Sequence, residues 1–218
     1  MEEIITILIY IHAFLGGIGL TTGIVSIIVK KGSSFHKKSG KLFTIGMIGS
    51  SLISIPIAFM PNHENLFLAL IGIFTIYLVL VGNRTLKFKI KTNADITDKI
   101  ISGTMFCLSV AMLFTGIYNL INSSSIGTLY VFFGGFGIFL TVSDFRFYRN
   151  PQKTKNAWLA AHIGRMMGAL IASITAFIIA GLGIQHLIAW TLPTLLGTIY
   201  IIYWKRKVTP NTSVKTEQ

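Results

Sequence analysis

Acidic residues are scarce in this chain. Its 218 residues hold seven Asp and Glu against nineteen Lys and Arg, and charged residues of both signs make up only 12%. So little charge excludes an ordinary soluble domain, where about a quarter of residues are charged. Cysteine is nearly absent. The single thiol, Cys107, excludes an internal disulfide and a thiolate metal cluster, and it reads as a small packing residue within an apolar run. Metal-binding spacings are missing too: neither HExxH nor HxxxH occurs, whereas a catalytic zinc site commonly takes three His or carboxylate ligands. No nucleophile–base pair is legible among the serines and threonines, which ranks an enzyme last.

What the chain has instead is apolar surface. Hydrophobic residues make up 52%, gathered in runs long enough to cross a bilayer, which takes about 20 residues of helix. The expected spans are Ile4–Val29, Lys41–Met60, Asn65–Asn83, Ile100–Ile121, Gly127–Ser143, Ala157–Leu182 and His186–Trp204. The fold class is therefore an all-α polytopic membrane bundle of seven helices over 1–207, with 208–218 a disordered cytoplasmic tail. Acidic Met1-Glu2-Glu3 and the length of the first run argue for a retained helix rather than a signal peptide. The last run contains no lysine, which excludes a retinal Schiff base.

A net charge of +12 invites a nucleic-acid partner, but the distribution of the charge argues against one. Lys30, Lys31, Lys37, Lys38 and Lys41 fall around the first loop; Arg84, Lys87, Lys89, Lys91 and Lys99 around the third. Arg146, Arg149, Lys153 and Lys155 fall around the fifth, and Lys205, Arg206, Lys207 and Lys215 in the tail. The alternate loops have none. Positive charge on alternate loops places those loops in the cytoplasm, giving N-terminus out and C-terminus in, as in a bacterial inner membrane. The lipid bilayer is then the expected partner, and a homo-oligomer stays open. Trp158, Trp190 and Trp204 fall at span ends, where tryptophan favours the headgroup region.

An offset of 118 residues (14 to 132) sets Phe14–Gly19, FLGGIG, on Phe132–Gly137, FFGGFG. The same offset sets Ile45–Phe59 on Ile163–Phe177 without a gap. This predicts a parallel 3+1+3 repeat, an arrangement used by SWEET-type sugar transporters, although their membrane-embedded Pro-Gln motif is missing because Pro151-Gln152 lies in a loop. The glycines of both hexapeptides have a packing explanation, since they permit close helix approach.

Arg165 is the one basic residue inside a run. An arginine there costs about 3 kcal/mol or more, so it must face protein, water or a ligand. Helical spacing puts His162, Arg165, Met166 and Ala169 on one face, with Arg165 about 12 Å inside its helix. Asp144 is the nearest counter-ion in sequence, and His36 lies on the same side of the membrane. Together these could bind a carboxylate, a phosphate or a quinone head. The plainer alternative is a structural Arg165–Asp144 pair with His162 bonded to a carbonyl. His12 lies towards the outer side, as a ligand or a tie to a neighbouring helix. His63 and His186 are expected as solvated loop residues. A bis-His haem needs two imidazoles at one depth; His12 and His162 differ in depth, so a loop histidine would have to fold in.

His12, the run His36-Lys-Lys-Ser-Gly40-Lys41, Trp158, His162, Arg165, Met166, Thr175-Ala176-Phe177, Trp190 and Pro193 together resemble a family of uncharacterised bacterial multi-pass membrane proteins carrying a domain-of-unknown-function label. Relatives of that kind often have arginine after the loop histidine, where this chain has Lys37, a poorer bidentate anion ligand. The resemblance implies fold and candidate positions, not a reaction. The leading expectation is a transporter or carrier binding a small polar or anionic solute in an inner-facing cavity through His36, Asp144, His162, Arg165 and His12. A haem- or quinone-binding redox protein and a non-catalytic accessory subunit are the rivals.

Overall fold

The computed structural model describes residues 2–184 and 186–209. Among them the chain forms α1 (Glu2–Ile28), α2 (Ser34–Ile57), α3 (Leu66–Arg84), α4 (Ile96–Ile121), α5 (Ile126–Arg149), α6 (Ala157–Ala176) and α7 (Leu187–Val208), with no strand. From residue 210 onward, the expected tail lies outside the described residues.

Six of these helices, α1 to α6, are long and apolar enough to cross a membrane. The expectation was seven. α7, whose apolar stretch is interrupted by Pro193 and three threonines and ends at Lys205, Arg206 and Lys207, is not among them. The polarity of the fold is inverted relative to a soluble domain. Tyr10, Phe14, Phe132, Phe139 and Leu195 point outward, whereas Ser102, Ser109, Thr141, Asp144 and Arg165 are buried. Outward apolar side chains at this density mean lipid contact.

The starts of α2 and α4 run earlier than hydropathy predicts, because side chains cap them. Ser33 Oγ accepts from the His36 backbone N–H at 3.1 Å, so α2 begins seven residues before the expected Lys41 and carries the His36–Lys41 run on its first turns. Asp95 and Asp98 form a reciprocal capping box at α4. α5 continues two turns past Ser143, which puts Asp144, Arg146 and Arg149 on the helix.

α3 and α6 are central, packed on one another, with the α1–α2 pair to one side, the α4–α5 pair beside α3 and α7 against α6. The main core joins Phe43 and Met47 of α2, Phe74, Leu78 and Val81 of α3, Met105 of α4 and Leu170 of α6. The predicted repeat is not reproduced in the packing. The partner of the α1–α2 pair would be α5–α6, yet α5 lies along α4. The reason is local: Gly134 and Gly137 bring α5 onto Ser109 and Leu113 of α4, while Gly135 faces open space.

Candidate functional site

Arg165 and Asp144 do meet. Arg165 Nε and Nη2 donate to Asp144 Oδ1 at 3.1 and 2.5 Å, and Nη2 also donates to the Leu140 carbonyl at 2.8 Å. The second carboxylate oxygen, Oδ2, accepts from Tyr77 Oη at 2.5 Å and Ser102 Oγ at 3.0 Å. Ser102 Oγ also lies 3.0 Å from Tyr148 Oη. One α5 carboxylate thus gathers donors from α3, α4 and α6, and both partners of the ion pair are buried. Tyr77, Ser102 and Tyr148 went unread in the sequence. Tyr77 lies 67 residues from Asp144 and Ser102 lies 42 away, so no local spacing marks those two, whereas Tyr148 follows Asp144 by one helical turn on α5.

The three helix-borne histidines each bond a carbonyl on another helix or turn. His162 Nδ1 lies 2.8 Å from Gly82 O of α3, His36 Nδ1 lies 3.0 Å from Ser26 O at the end of α1, and His12 Nδ1 lies 2.9 Å from Ser50 O of α2. A carbonyl only accepts, so each Nδ1 carries the proton. In a neutral ring Nε2 then keeps its lone pair. His63 and His186 are exposed, as expected.

His36 and His162 come together on the wall of one cavity of about 540 Å³, at the basic end of the bundle. The end of α1, the start of α2, the end of α3, the first half of α6 and the end of α7 enclose the space. Lys31, Lys37 and Lys41 lie on the wall beside them, with Asn83 and Thr44. Deeper, the wall is Phe43, Ile163, Met166, Met167 and Leu170, flanked by Trp158 and Trp204. No carboxylate lines it among the described residues. The volume falls within the range of about 300–1,000 Å³ usual for ligand sites.

The lysines differ in their ties. Lys31 Nζ donates to the Ser26 carbonyl at 3.2 Å and to Ile27 O, closing the end of α1. It also sits over the rings of Tyr200 and Trp204 at 5.8 and 5.4 Å. Burial holds its ammonium pKa below the ordinary lysine value. Lys37 and Lys41 are exposed and, among the described residues, have no ion-pair partner.

Arg165, Asp144 and His12 do not line this cavity. Arg165 packs against Gly82 next to the lining residue Met166: a Cβ at Gly82 would meet Arg165 Cβ at 3.2 Å and Met166 Sδ at 2.7 Å. His12 is separated from Ser26, the partner of His36, by about 21 Å of helix rise. Among the described residues no group of three or more His, Cys, Asp or Glu is placed to hold a metal.

The class of the protein follows from these features. Six helices of spanning length, an apolar exterior and an ion pair sealed inside define an all-α integral membrane protein with a lipid bilayer around it. Comparisons with family models, curated proteins and solved structures give no match for the chain.

Proposed function

We propose that this protein binds a small polar or anionic solute in the cavity at the basic end of the bundle and acts as a carrier in a bacterial inner membrane. The observation that carries this reading is the wall itself: three lysines and two histidines, and no carboxylate among the described lining residues. A concave, low-dielectric site with charge of one sign concentrates the opposite charge. In this reading His36 and His162 contact the solute. Arg165 and Asp144 hold α6 against α5 behind them, and His12 ties α1 to α2.

The orientation belongs to the same proposal: N-terminus outside, basic end in the cytoplasm, and α7 as a seventh crossing. Support for α7 comes from its pairing. Asn156 Nδ2, at the start of α6, donates to Val208 O at the end of α7 at 3.0 Å, so the two helices run antiparallel over their lengths. A reporter fused after the last residue and active only in the cytoplasm tests this; inactivity there removes the inward-facing cavity. The resemblance to the multi-pass domain-of-unknown-function family is part of the same reading. Binding is tested by the unfolding temperature of the full chain against phosphates and carboxylates, with and without alkyl chains. A saturable rise is expected with at least one, and a flat response to all of them ends the reading.

One observation favours a redox reading in second place. His36 and His162 share a cavity with their Nδ1 atoms engaged, and ligand histidines commonly donate that hydrogen to a carbonyl. An absorption spectrum of the purified protein decides for haem: a Soret band supports it, and a featureless spectrum removes it.

A further inference from the structure

The cavity is built in two chemical zones, and that division specifies its ligand more closely than charge alone. The ammonium groups of Lys37 and Lys41 come from exposed residues in the first two turns of α2, at the mouth, and no described acidic residue neutralises them. Lys31 adds a third charge on the same wall. Below them the lining changes character. Phe43 and Leu170 are buried core residues, and Ile163, Met166 and Met167 continue the apolar surface on α6. Gly23 of α1 lets Phe43 and Leu170 meet there, since a Cβ at that position would lie 2.8 Å from each. A fully hydrated ion would leave this lower zone without polar partners, and a neutral hydrocarbon would leave the lysines without counter-charge.

We infer that the ligand is an amphiphile: one anionic phosphate or carboxylate head held by Lys37 and Lys41 beside the charge of Lys31, and an unbranched apolar chain lying along Phe43, Ile163, Met166 and Leu170. This rests on the anion-binding reading above and names the ligand class for the same site. Lysine suits such a head because it acts as a mobile point charge, tolerant of headgroup geometry, where a fixed guanidinium fork would select one. Trp158 and Trp204, beside the mouth, are residues of the kind that sit where headgroup meets hydrocarbon. Such an amphiphile can come from the surrounding bilayer or from solution; the head and chain are the shared chemistry.

The test is the unfolding temperature of the full chain in nonionic detergent, titrated with three probes: dodecyl phosphate, dodecanol and inorganic phosphate. Only dodecyl phosphate is expected to raise it saturably, because ligand bound to the native state alone stabilises it by mass action. An equal rise with dodecanol makes the charge irrelevant and overturns the inference. An equal rise with inorganic phosphate overturns the chain's part in it while leaving anion binding intact. No rise with either phosphate removes anion binding altogether. The exposed double variant Lys37→Gln/Lys41→Gln is expected to weaken dodecyl phosphate by about tenfold or more. Ile163→Trp, which fills the lower zone, is expected to exclude dodecyl phosphate; unchanged binding in both variants places the ligand elsewhere and overturns the assignment. Repeating the titration in nanodiscs assigns the source. Displacement of dodecyl phosphate by phosphatidylglycerol but not phosphatidylcholine supports a bilayer lipid, and indifference to both supports a soluble amphiphile.

Discussion

Arg165 and Asp144 are joined by two hydrogen bonds to one carboxylate oxygen, 3.1 Å from Nε and 2.5 Å from Nη2, and both side chains are sealed from solvent. The pair links two helices that otherwise pack against other partners, α5 along α4 and α6 along α3. It is therefore the polar clasp of the bundle. Burying the pair gains little over burying a hydrophobic pair, but breaking it leaves an uncompensated charge.

Arg165→Ala is accordingly expected to destabilise the protein by about 3–5 kcal/mol in a denaturant titration in mixed micelles. Arg165→Lys keeps the charge but loses the fork, so Leu140 O or Asp144 goes unpaired. Arg165→Met with Asp144→Leu should recover part of the loss. Recovery stays partial because Tyr77 and Ser102 lose their acceptor, at about 1–3 kcal/mol for each buried unpaired group. Arg165→Ala with native stability and lost anion binding would instead move the arginine into the binding site.

His12 and His162 make the same kind of bond, Nδ1 to a carbonyl, but only His162 lines the cavity. Each alanine variant loses the bond to its carbonyl, worth about 1 kcal/mol net, and His12→Ala also loses the contact of Nδ1 with Ser50 Oγ at 2.9 Å. Only His162→Ala is expected to change ligand affinity. Equal effects of the two on a ligand titration would show that affinity follows stability, not contact.

The Asp95–Lys91–Arg84 cluster at the start of α4 sets a pH dependence. Lys91 Nζ lies 2.7 Å from an Asp95 carboxylate oxygen and Arg84 Nη2 lies 2.7 Å from the other. The bond from Lys91, then the one from the Asp98 backbone N–H, holds the Asp95 carboxyl below the usual aspartate range. Its folded value is depressed, so its contribution is complete above the unfolded value of about 3.9. The contribution fades as pH falls through the folded value. Lys91 shifts the other way. Burial pulls its pKa down, but the bonds to Asp95 and Asp98 outweigh that and raise it, so its share is lost only at strongly alkaline pH. Asp95→Asn keeps the cap and removes the charge. In thermal unfolding followed downward from pH 7, the gap between wild type and variant should begin to narrow below about pH 4 and close only as pH falls through the folded value; a constant gap would assign the effect to the cap instead.

Much of this architecture is written locally. Apolar runs placed six spanning helices to within a turn or two, because a bilayer demands length and hydrocarbon in one continuous stretch. The Arg165–Asp144 clasp was legible for a related reason: a lone arginine in such a run needs an anion, and Asp144 was the nearest at a helix end. What sequence could not supply is lateral arrangement. Whether α5 lies on α4 or α6 is decided by which glycines find a flat partner surface, and FLGGIG and FFGGFG look alike while docking on unrelated helices. An inner-facing cavity was expected, but the make-up of its wall escaped for the same reason. Its lysines read as charges that set topology, and only the fold shows that Lys31, Lys37 and Lys41 close on a space shared with His36 and His162.

The glycine contacts carry the most discriminating stability prediction, since glycines of similar setting differ only in what lies opposite them. At Gly46 of α2 an added Cβ would come within 2.7 Å of Gly19 N and 2.8 Å of Leu15 O, both backbone. At Gly134 of α5 it would meet Leu113 N and Ser109 O of α4, each at 2.8 Å. Backbone cannot swing aside, so alanine at either position must push a helix pair apart and is expected to cost about 1–3 kcal/mol, the usual range for overpacking. Gly135 has nothing within 4 Å, and alanine there is expected to be neutral or stabilising through its better helix propensity. Unfolding of Gly46→Ala, Gly134→Ala and Gly135→Ala side by side separates packing from propensity. If all three behave alike, close helix contact is not what holds the α1–α2 and α4–α5 pairs. The α1–α2 wall of the cavity would then lack the rigidity that a preformed binding site requires.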